Sequence, residues 1–311
     1  ITHVQKVSSP KKILRIKLKS GREIEVTKDH PILIDTKKGP KFIEAGKVKK
    51  GMEVYSIRKI KLRKPKRVWL IDVFPGEKFN VRIDKWLLSK ISKFLISYQH
   101  SKVKKYGIKV SHLKHYLQKL GIPFDEHIKK GLSILTTYGL TIRLKEKTLT
   151  DDMLYVLGLI ASDGHVELKR KNGKNSYRIH FINKDEELVK RFIEFHKKWF
   201  PERRVDIKER NGVKFVRVSN PLLSYLCLAL GIKKEDGTTD FKEIIKLDEK
   251  LISAFLRGYF DGDGSCVIYK TSKNSEYGVI LLYSSDKTII KRLDVLLRRL
   301  GIVGVINTQK S

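Results

Sequence analysis

The sequence predicts an α+β protein in which an αββα arrangement occurs twice, C-terminal to a small all-β segment and a helical insertion. Three observations predict it: strand-like alternation near the N-terminus, helical spacing in the middle, and the same order of elements repeated after residue 150. The 311 residues are 41% hydrophobic, which suits two or three domains better than one. We place the domain boundaries at 1–60, 61–149 and 150–311.

The first segment has the pattern of a β-hairpin. Residues 12–27 alternate apolar and charged side chains, and Ser20 with Gly21 supplies a turn. The face available for burial is formed by Leu14, Ile16, Leu18, Ile24 and Val26. Proline and glycine residues separate further short apolar runs as far as MEVYSI (52–57), so a small all-β unit is predicted.

The second segment is basic and helical. It follows the run RKIKLRKPKR (58–67), and helical spacing dominates from 84 to 130. The first predicted helix has an apolar stripe of Trp86, Leu87, Ile91, Phe94 and Leu95. The stretch YGLTIRLKE (138–146) then returns to a strand pattern.

Residues 101–123 have the apolar spacing of a helix-turn-helix. Ser111 would cap the second helix and Gly121 would end it. Its exposed face would present these side chains to a DNA groove or to phosphates: Lys109, His112, Lys114, His115 and Lys119. The alternative is an ordinary helical hairpin whose lysines are simply solvated.

The third segment contains the repeat. Copy one has an apolar helix ending in Asp-Gly (151–164), two strands and an amphipathic helix, and copy two has the same order from 251–264 onward. Copy one then adds two strands and a third helix, which makes αββαββα. Copy two ends about where its third strand would lie, so we expect the second repeat to be incomplete.

The charge of the chain indicates a polyanionic partner. Lys and Arg number 67 against 34 Asp and Glu, a formal net charge of +33, and nucleic acid is the usual ligand of so basic a surface. The alternative is a soluble lysine-rich protein of a thermophile. Cys227 and Cys266 lack metal-ligand spacing, and no stretch is apolar enough to span a bilayer. We therefore expect a cytoplasmic protein without a membrane partner.

The repeated Asp-Gly stretches suggest a metal site. If the two apolar helices pack together, Gly158 and Gly258 allow their backbones to approach closely. Asp163 and Asp263 would then meet and repel each other unless cations lie between them, and Mg²⁺ suits such carboxylates. A single Asp-Gly would be read as a turn, but two copies in matching apolar frames favour a shared site.

VLGLIASDG (156–164) and LRGYFDGDG (256–264) resemble the two signature helices of the LAGLIDADG homing endonucleases, in the form that carries both on one chain. The resemblance implies Mg²⁺-dependent hydrolysis of double-stranded DNA, with β-sheets of both repeats in the major groove. It assigns the metals to Asp163 and Asp263 and a water-ordering role to Lys184 in FINKD. Copy two has LYSSD instead, with Ser284 and Ser285 in the corresponding stretch and Ser285 at the lysine position. Copy one has Ala161 where many members have an acid.

Candidate DNA contacts follow from strand alternation in copy one. Lys169, Lys171 and Arg178 alternate with apolar residues, so the three would share a face turned toward DNA. Further candidates are Arg170, Lys174, Lys208, Arg210 and Lys270.

GREIEVTKDHPILI (21–34) resembles the intein motif in which Thr-x-x-His follows a hairpin, so the first segment is expected to be a partial Hint splicing domain. The resemblance implies that Thr27 and His30 act on a scissile peptide. Residue 1 is no Cys or Ser and no His-Asn ends the chain, so self-splicing is not expected of it. Together these features predict part of an archaeal-type intein carrying a nuclease. Two alternatives remain: a nucleic-acid-binding protein that does not cut, and a splicing protein whose nuclease is silent.

Overall fold

The computed structural model describes residues 12–62, 67–73, 79–132, 134–137, 140–143, 146–171, 174–201, 203–233, 238–271 and 275–307; within these, the side chains of 134–143 and 168–176 are not described. The chain divides into two compact units, Ile1–Lys61 with Leu293–Ser311 and Leu62–Arg292. No helix among the described residues is long and apolar enough to cross a membrane.

The N-terminal part of the first unit consists of two hairpins. The strands β1 (Leu14–Lys17) and β2 (Glu23–Val26) pair antiparallel, as do β3 (Pro31–Ile34) and β4 (Lys41–Glu44). Val26, Ile32, Ile34 and Ala45 form their small core. Ile24, which alternation put on the buried face, is 46% exposed, because the described residues of this unit do not cover that position of the hairpin. Residues 52–57 make only an isolated bridge, between Val54 and Ile34.

The insertion in the second unit combines short helices with a four-stranded sheet. Its helices are α1 (Leu70–Val73), α2 (Lys85–Ile91), α3 (Ser97–Tyr106), α4 (Val110–Lys119) and α5 (Glu126–Gly131). The strands β5 (Asn80–Arg82), β6 (Ile108–Lys109), β7 (Ile134–Thr137) and β8 (Leu140–Arg143) lie in the order β6-β5-β7-β8. Of the strand predicted at 138–146, residues 138–139 and 144–145 lie outside the described chain.

Two details of the insertion differ from the sequence prediction. Lys109, not Ser111, occupies the position before the first turn of α4, so Ser111 lies inside the helix. Trp86 is 48% exposed while Leu87 and Ile91 are buried, because α2 is only two turns long and buries a narrow stripe. The end of α4 at Lys119 followed by Gly121, which has a φ of 69°, agrees with the prediction.

The first repeat has the predicted αββαββα order. It consists of α6 (Asp151–Asp163), β9 (Gly164–Lys171), β10 (Lys174–Asn183), α7 (Glu186–Trp199), β11 (Val205–Arg210), β12 (Val213–Ser219) and α8 (Pro221–Ala229). The strands form one antiparallel sheet in the order β11-β12-β10-β9. Thr150, Asp185 and Asn220 accept backbone hydrogen bonds at the starts of α6, α7 and α8, which fixes where each helix begins. The α+β class is thus confirmed.

The second repeat shows the order αββα among the described residues. Its elements are α9 (Glu249–Asp263), β13 (Gly264–Lys270), β14 (Glu276–Leu282) and α10 (Lys287–Arg299), and within the described part of the chain β13 and β14 form a two-stranded sheet. Residues 301–307, placed by the sequence near a third strand, form no strand.

Residues 301–307 instead contact the first hairpin. The Ile306 backbone amide donates to Ser20 O at 2.8 Å, and the Arg22 guanidinium, paired with Asp294, donates to Gly304 O at 2.9 Å. Gly21 has a φ of 79°, and any side chain there would overlap the Ile306 carbonyl. The close approach and the left-handed backbone together require glycine at this turn.

A buried histidine side chain on α7 lies next to Asn220, the residue that precedes α8. His196 and Asn220 are fully buried, their side-chain nitrogens Nε2 and Nδ2 are 3.5 Å apart, and His196 Nδ1 has no hydrogen-bond partner among the described residues. Burial, and secondarily the charge of Arg203, lower the pKa of His196 to about 4. The folded protein therefore holds a neutral imidazole, whereas the unfolded chain is protonated below about pH 6.5.

The stability of this unit should consequently fall with acid. Because the folded pKa of His196 is depressed, its contribution is complete above pH 6.5 and is lost as the pH falls toward 4. The free energy of unfolding of the wild type, relative to a His196→Gln variant, should decrease by roughly 2 to 3 kcal/mol between pH 7.5 and 4.5 in urea titrations. In the control variant His112→Gln, which changes an exposed histidine, the free energy of unfolding should vary with pH as it does in the wild type. If the free energies of the wild type and His196→Gln varied with pH in parallel, the assignment of this effect to His196 would be contradicted.

Candidate active site

The two apolar helices α6 and α9 cross at their glycines. A Cβ built on Gly158 would lie closer than 3.0 Å to the backbone of Phe255 and Tyr259, and one built on Gly258 would overlap the carbonyl of Tyr155. These positions admit no side chain without a shift of the backbone, so the helices are in backbone contact. The close crossing that the sequence predicted is present.

The crossing brings the carboxyl ends of the helices together. Asp163 is the last residue of α6, and its carboxylate lies beside the backbone of Gly262, the residue before Asp263 at the end of α9. The half-buried Asp163 side chain accepts hydrogen bonds from Asn183 Nδ2 at 3.1 Å and Ser162 Oγ at 3.4 Å. Both predicted metal ligands therefore lie at one end of the interface.

The two carboxylates disfavour each other's charge. Burial, and then the negative charge of Asp263, raise the pKa of Asp163 above its usual value. Partial burial also raises the pKa of Asp263, although a hydrogen bond from the Tyr259 hydroxyl and the charge of Lys233 oppose that rise. The pKa of the buried Tyr259 hydroxyl is raised, first by burial and then by Asp263. The region favours a bound cation.

The donor set fits a hard divalent ion. In the part of the chain described by the structure, no group of three or more His, Cys, Asp or Glu could enclose a metal by itself. Two carboxylates without sulfur or imidazole suit Mg²⁺, which is commonly held by one or two carboxylates and completes its shell with water and substrate phosphate oxygens. Asp163 and Asp263 are the residues that would hold it.

Basic residues near the site differ between the repeats. Lys184 is exposed in the turn between β10 and α7, and its neighbour Asn183, not Lys184 itself, makes the hydrogen bond to Asp163. Burial raises the pKa of Asp263, and the charge of the half-buried Lys233, in the connection between α8 and α9, opposes that rise. Sequence reasoning missed both Asn183 and Lys233. FINKD carried a signal for Asn183, whereas Lys233 lies outside every motif.

The strand register defines a basic face on the first sheet. Opposite pairs Lys171–Lys174, Glu167–Arg178 and Arg217–His180 put their members on one face, away from the buried Tyr177, Ile179 and Phe181. The predicted DNA contacts at register positions on this open face are Lys169, Lys171, Lys174, Arg178, Lys208 and Arg210. Arg170 falls on the opposite face; the side chains of 169–171 and 174 lie outside the described part.

The two remaining groups of predicted DNA contacts are placed as follows. Lys270 ends β13 and pairs with Glu276 at 3.2 Å, on the face that corresponds to the buried face of the first sheet. In the insertion, the side chains of Lys109, His112, Lys114 and His115 are all exposed on or beside α4. Lys114 also lies 3.9 Å from Asp72 and over the ring of Phe124.

The predicted splicing residues lie at the two ends of one tight turn. The His30 amide donates to Thr27 O at 3.2 Å, between β2 and β3, and His30 O accepts from the Ala45 amide. A hydrogen bond from the Thr27 side chain lowers the pKa of the exposed Asp29. Thr27 and His30 are thus close together, with the His30 side chain exposed.

Comparison with known families defines the class of the last part of the chain. A model described as a LAGLIDADG-like domain matches residues 250–311, which cover the second repeat from the second residue of α9 onward. Residues 250–311 are therefore similar to a LAGLIDADG-like domain.

Particular relatives match a larger share of the chain. It is 27% identical over 98% of its length to one of the subunits of the A-type ATP synthase of Methanopyrus kandleri, and 31% identical over 58% of its length to a Replication factor C small subunit of Methanocaldococcus jannaschii. These matches cover 30% and 9% of the respective proteins, so the chain spans less than a third of either. Among solved structures, the homing endonuclease I-DmoI in complex with DNA and Mn aligns over 51% of this chain and 83% of its own, at 19% identity and a TM-score of 0.40.

Proposed function

We propose that this chain is a homing endonuclease that cuts both strands of a long, specific DNA site by Mg²⁺-dependent phosphodiester hydrolysis. The observation that carries the proposal is the meeting of Asp163 and Asp263 at the end of a helix crossing that only glycines allow. A paired carboxylate site at the centre of two related repeats suits a substrate with two scissile bonds, one on each strand.

The residues at the crossing have distinct tasks in this reaction. Bound Mg²⁺ would stabilise negative charge on the phosphate oxygens and lower the pKa of a water molecule. Asp163 and Asp263 hold that charge in place, and Asn183 Nδ2 fixes the Asp163 carboxylate by donating to it. Lys184 in the first repeat and Lys233 in the connection between the repeats would supply positive charge near the attacked phosphate.

The open face of the first sheet is the proposed DNA-binding surface. Its lysines and arginines would contact phosphates and base edges of a duplex, and the exposed basic side chains of α4 would extend the contact. Two acids on this face already neutralise part of its charge: Glu167 lies 3.9 Å from Arg178, and Asp206 lies 2.9 Å from Arg217. Binding should therefore weaken steeply with salt but retain selective contacts.

We also propose that the chain is part of an archaeal-type intein. The two relatives have unrelated names, yet each contains a segment similar to this chain that fills a minor part of its length. That distribution is expected of an inserted element, not of a domain shared for the sake of one function. The Thr27–His30 turn after the first hairpin supports a splicing role for the N-terminal segment.

The nuclease is tested by incubating the protein with a library of randomised duplexes and Mg²⁺, and sequencing the ends that form. We expect double-strand breaks at one long site that disappear with a chelator. Asp152→Asn, which alters an exposed acid at the start of α6, should cut like the wild type. If the protein bound one specific duplex without breaking it, the second candidate function would be favoured, a protein that binds DNA and does not cut it. The presence of Ser285 at the position of the lysine in the other repeat supports this second candidate.

Lys233→Met should reveal whether this lysine serves the second half-site. Removal of its charge should slow cleavage about tenfold to a hundredfold while changing duplex binding little, because one charged group near a reacting phosphate is removed. Lys242→Met, an exposed change in the same connection between α8 and α9, is the matched control. Equal rates for both variants would show that Lys233 takes no part.

A further inference from the structure

A polar clasp joins three helices beside the candidate site. The Tyr155 hydroxyl on α6 donates to Asp261 Oδ2 on α9 at 2.7 Å and accepts from Arg191 Nη1 on α7 at 3.1 Å. Arg191 Nη1 also lies 3.9 Å from Asp261 Oδ2. We call Tyr155, Asp261 and Arg191 the clasp. Its three side chains close a triangle of charge-assisted contacts, which are stronger than neutral hydrogen bonds.

The surroundings of Tyr155 keep the clasp in one geometry. The residue is 7% exposed, and the centre of its ring lies 5.1 Å from the guanidinium group of Arg257 and 5.8 Å from that of Arg191. Arg191 is held in turn by Glu187 at 3.0 Å, one turn earlier on α7. The hydroxyl at the centre therefore has few alternative positions.

The clasp forms at only one of the two sets of equivalent positions in the two repeats. Alignment of the two copies places Phe255 opposite Tyr155, Ala161 opposite Asp261 and Arg292 opposite Arg191. Phe255 has no hydroxyl and Ala161 no carboxylate, so the second pair of positions cannot form the same contacts. The helices α6 and α9 cross at the equivalent residues Gly158 and Gly258, but the clasp links them on one side of the crossing and not on the equivalent side.

We propose that this one-sided clasp positions Asp263 for cleavage and makes the two strand cuts unequal. Asp261 lies in the last turn of α9, two residues before Asp263, where a helix has fewer internal hydrogen bonds. Fastening that turn to α6 and α7 narrows the range of positions open to the Asp263 carboxylate. Small displacements of a metal ligand or reacting group cost large factors in rate. This inference rests on the proposed nuclease function.

The test follows each strand of a duplex that the wild type cuts, labelled separately at its two ends. Tyr155→Phe and Asp261→Ala should slow one strand about tenfold more than the other, so that nicked duplex accumulates. Asp261→Asn keeps an oxygen that accepts from Tyr155 and should restore much of the wild-type ratio. The double variant Tyr155→Phe, Asp261→Ala should be no slower than either single variant, because both remove the same contact.

A matched control and a second measurement separate positioning from simple loss of stability. Lys190→Gln changes an exposed side chain on α7 that takes no part in the clasp, and it should leave the strand ratio unchanged. The affinity of the protein–duplex complex for Mn²⁺, followed by electron paramagnetic resonance, should fall in Tyr155→Phe and not in Lys190→Gln. If Tyr155→Phe slows both strands equally, or keeps the wild-type ratio and Mn²⁺ affinity, the positioning role is refuted. If the wild type cuts no duplex in any divalent cation, the nuclease proposal fails, and the clasp proposal with it.

Discussion

The variant Asp163→Asn is expected to cleave DNA roughly 10³-fold more slowly than the wild type, or more slowly still. It should nevertheless be at least as stable as the wild type. The carboxylate is one of two charges that would hold the metal ion, and a neutral amide is a weak ligand for Mg²⁺. At the same time, burial and the charge of Asp263 raise the pKa of Asp163, so its charged form is unfavourable in the folded protein. Neutralising it removes repulsion from the end of the helix crossing.

The two readouts together distinguish a functional carboxylate from a structural one. Cleavage of the selected duplex and the thermal unfolding midpoint are measured on the same preparations, with Asp152→Asn as an exposed control on the same helix. A structural role would lower the midpoint and the activity together. Persistent cleavage by Asp163→Asn would remove the paired carboxylates from the mechanism.

Gly258→Ala is expected to have the largest effect on stability. An added methyl group would overlap the carbonyl of Tyr155, and backbone atoms at a helix crossing cannot rotate aside as a side chain does. Separation of α6 and α9 should lower the free energy of unfolding by roughly 3 kcal/mol. This exceeds the gain of about 1 kcal/mol that alanine brings over glycine within a helix. Cleavage should be lost as well, because Asp163 and Asp263 would move apart.

Gly131→Ala provides the comparison. Gly131 lies in α5, and a methyl group there would meet only Asp84 Oδ2 at 3.5 Å, an ordinary contact. Denaturant titrations should therefore show Gly131→Ala near or above the wild type and Gly258→Ala well below it. Similar stabilities of the two variants would mean that the helices do not depend on backbone contact.

The sequence was informative where a motif or a period repeats. The same nine-residue pattern occurs twice, which predicted that its two helices pack against each other in an equivalent way. This repetition identified the residues at the helix crossing, Gly158 and Gly258, and the acids at the helix ends, Asp163 and Asp263. Strand alternation likewise gave the shared face of Lys171 and Arg178, since register fixes which side each residue takes.

Local patterns failed where burial depends on the length and neighbours of an element. Trp86 and Ile24 matched apolar periods but are exposed, because no second layer among the described residues covers those positions of α2 and the first hairpin. Ser111 is a good capping residue, yet α4 begins directly after the strand β6, two residues earlier than a Ser111 cap would place it. Such outcomes follow from packing partners that no local window contains.

The amino-acid sequence by itself determined the α+β class, the basic character, the two related repeats and the acids that end their first helices. Only the tertiary structure decided that Asn183 holds Asp163, that the charge of Lys233 acts on Asp263, and that Tyr155 fastens Asp261. It also decided that residues 301–307 lie against the turn at Gly21 and do not extend the second sheet. The reason is physical: periodicity and turn chemistry act between residues close in sequence, whereas these contacts join residues that only the folded backbone brings within hydrogen-bonding distance.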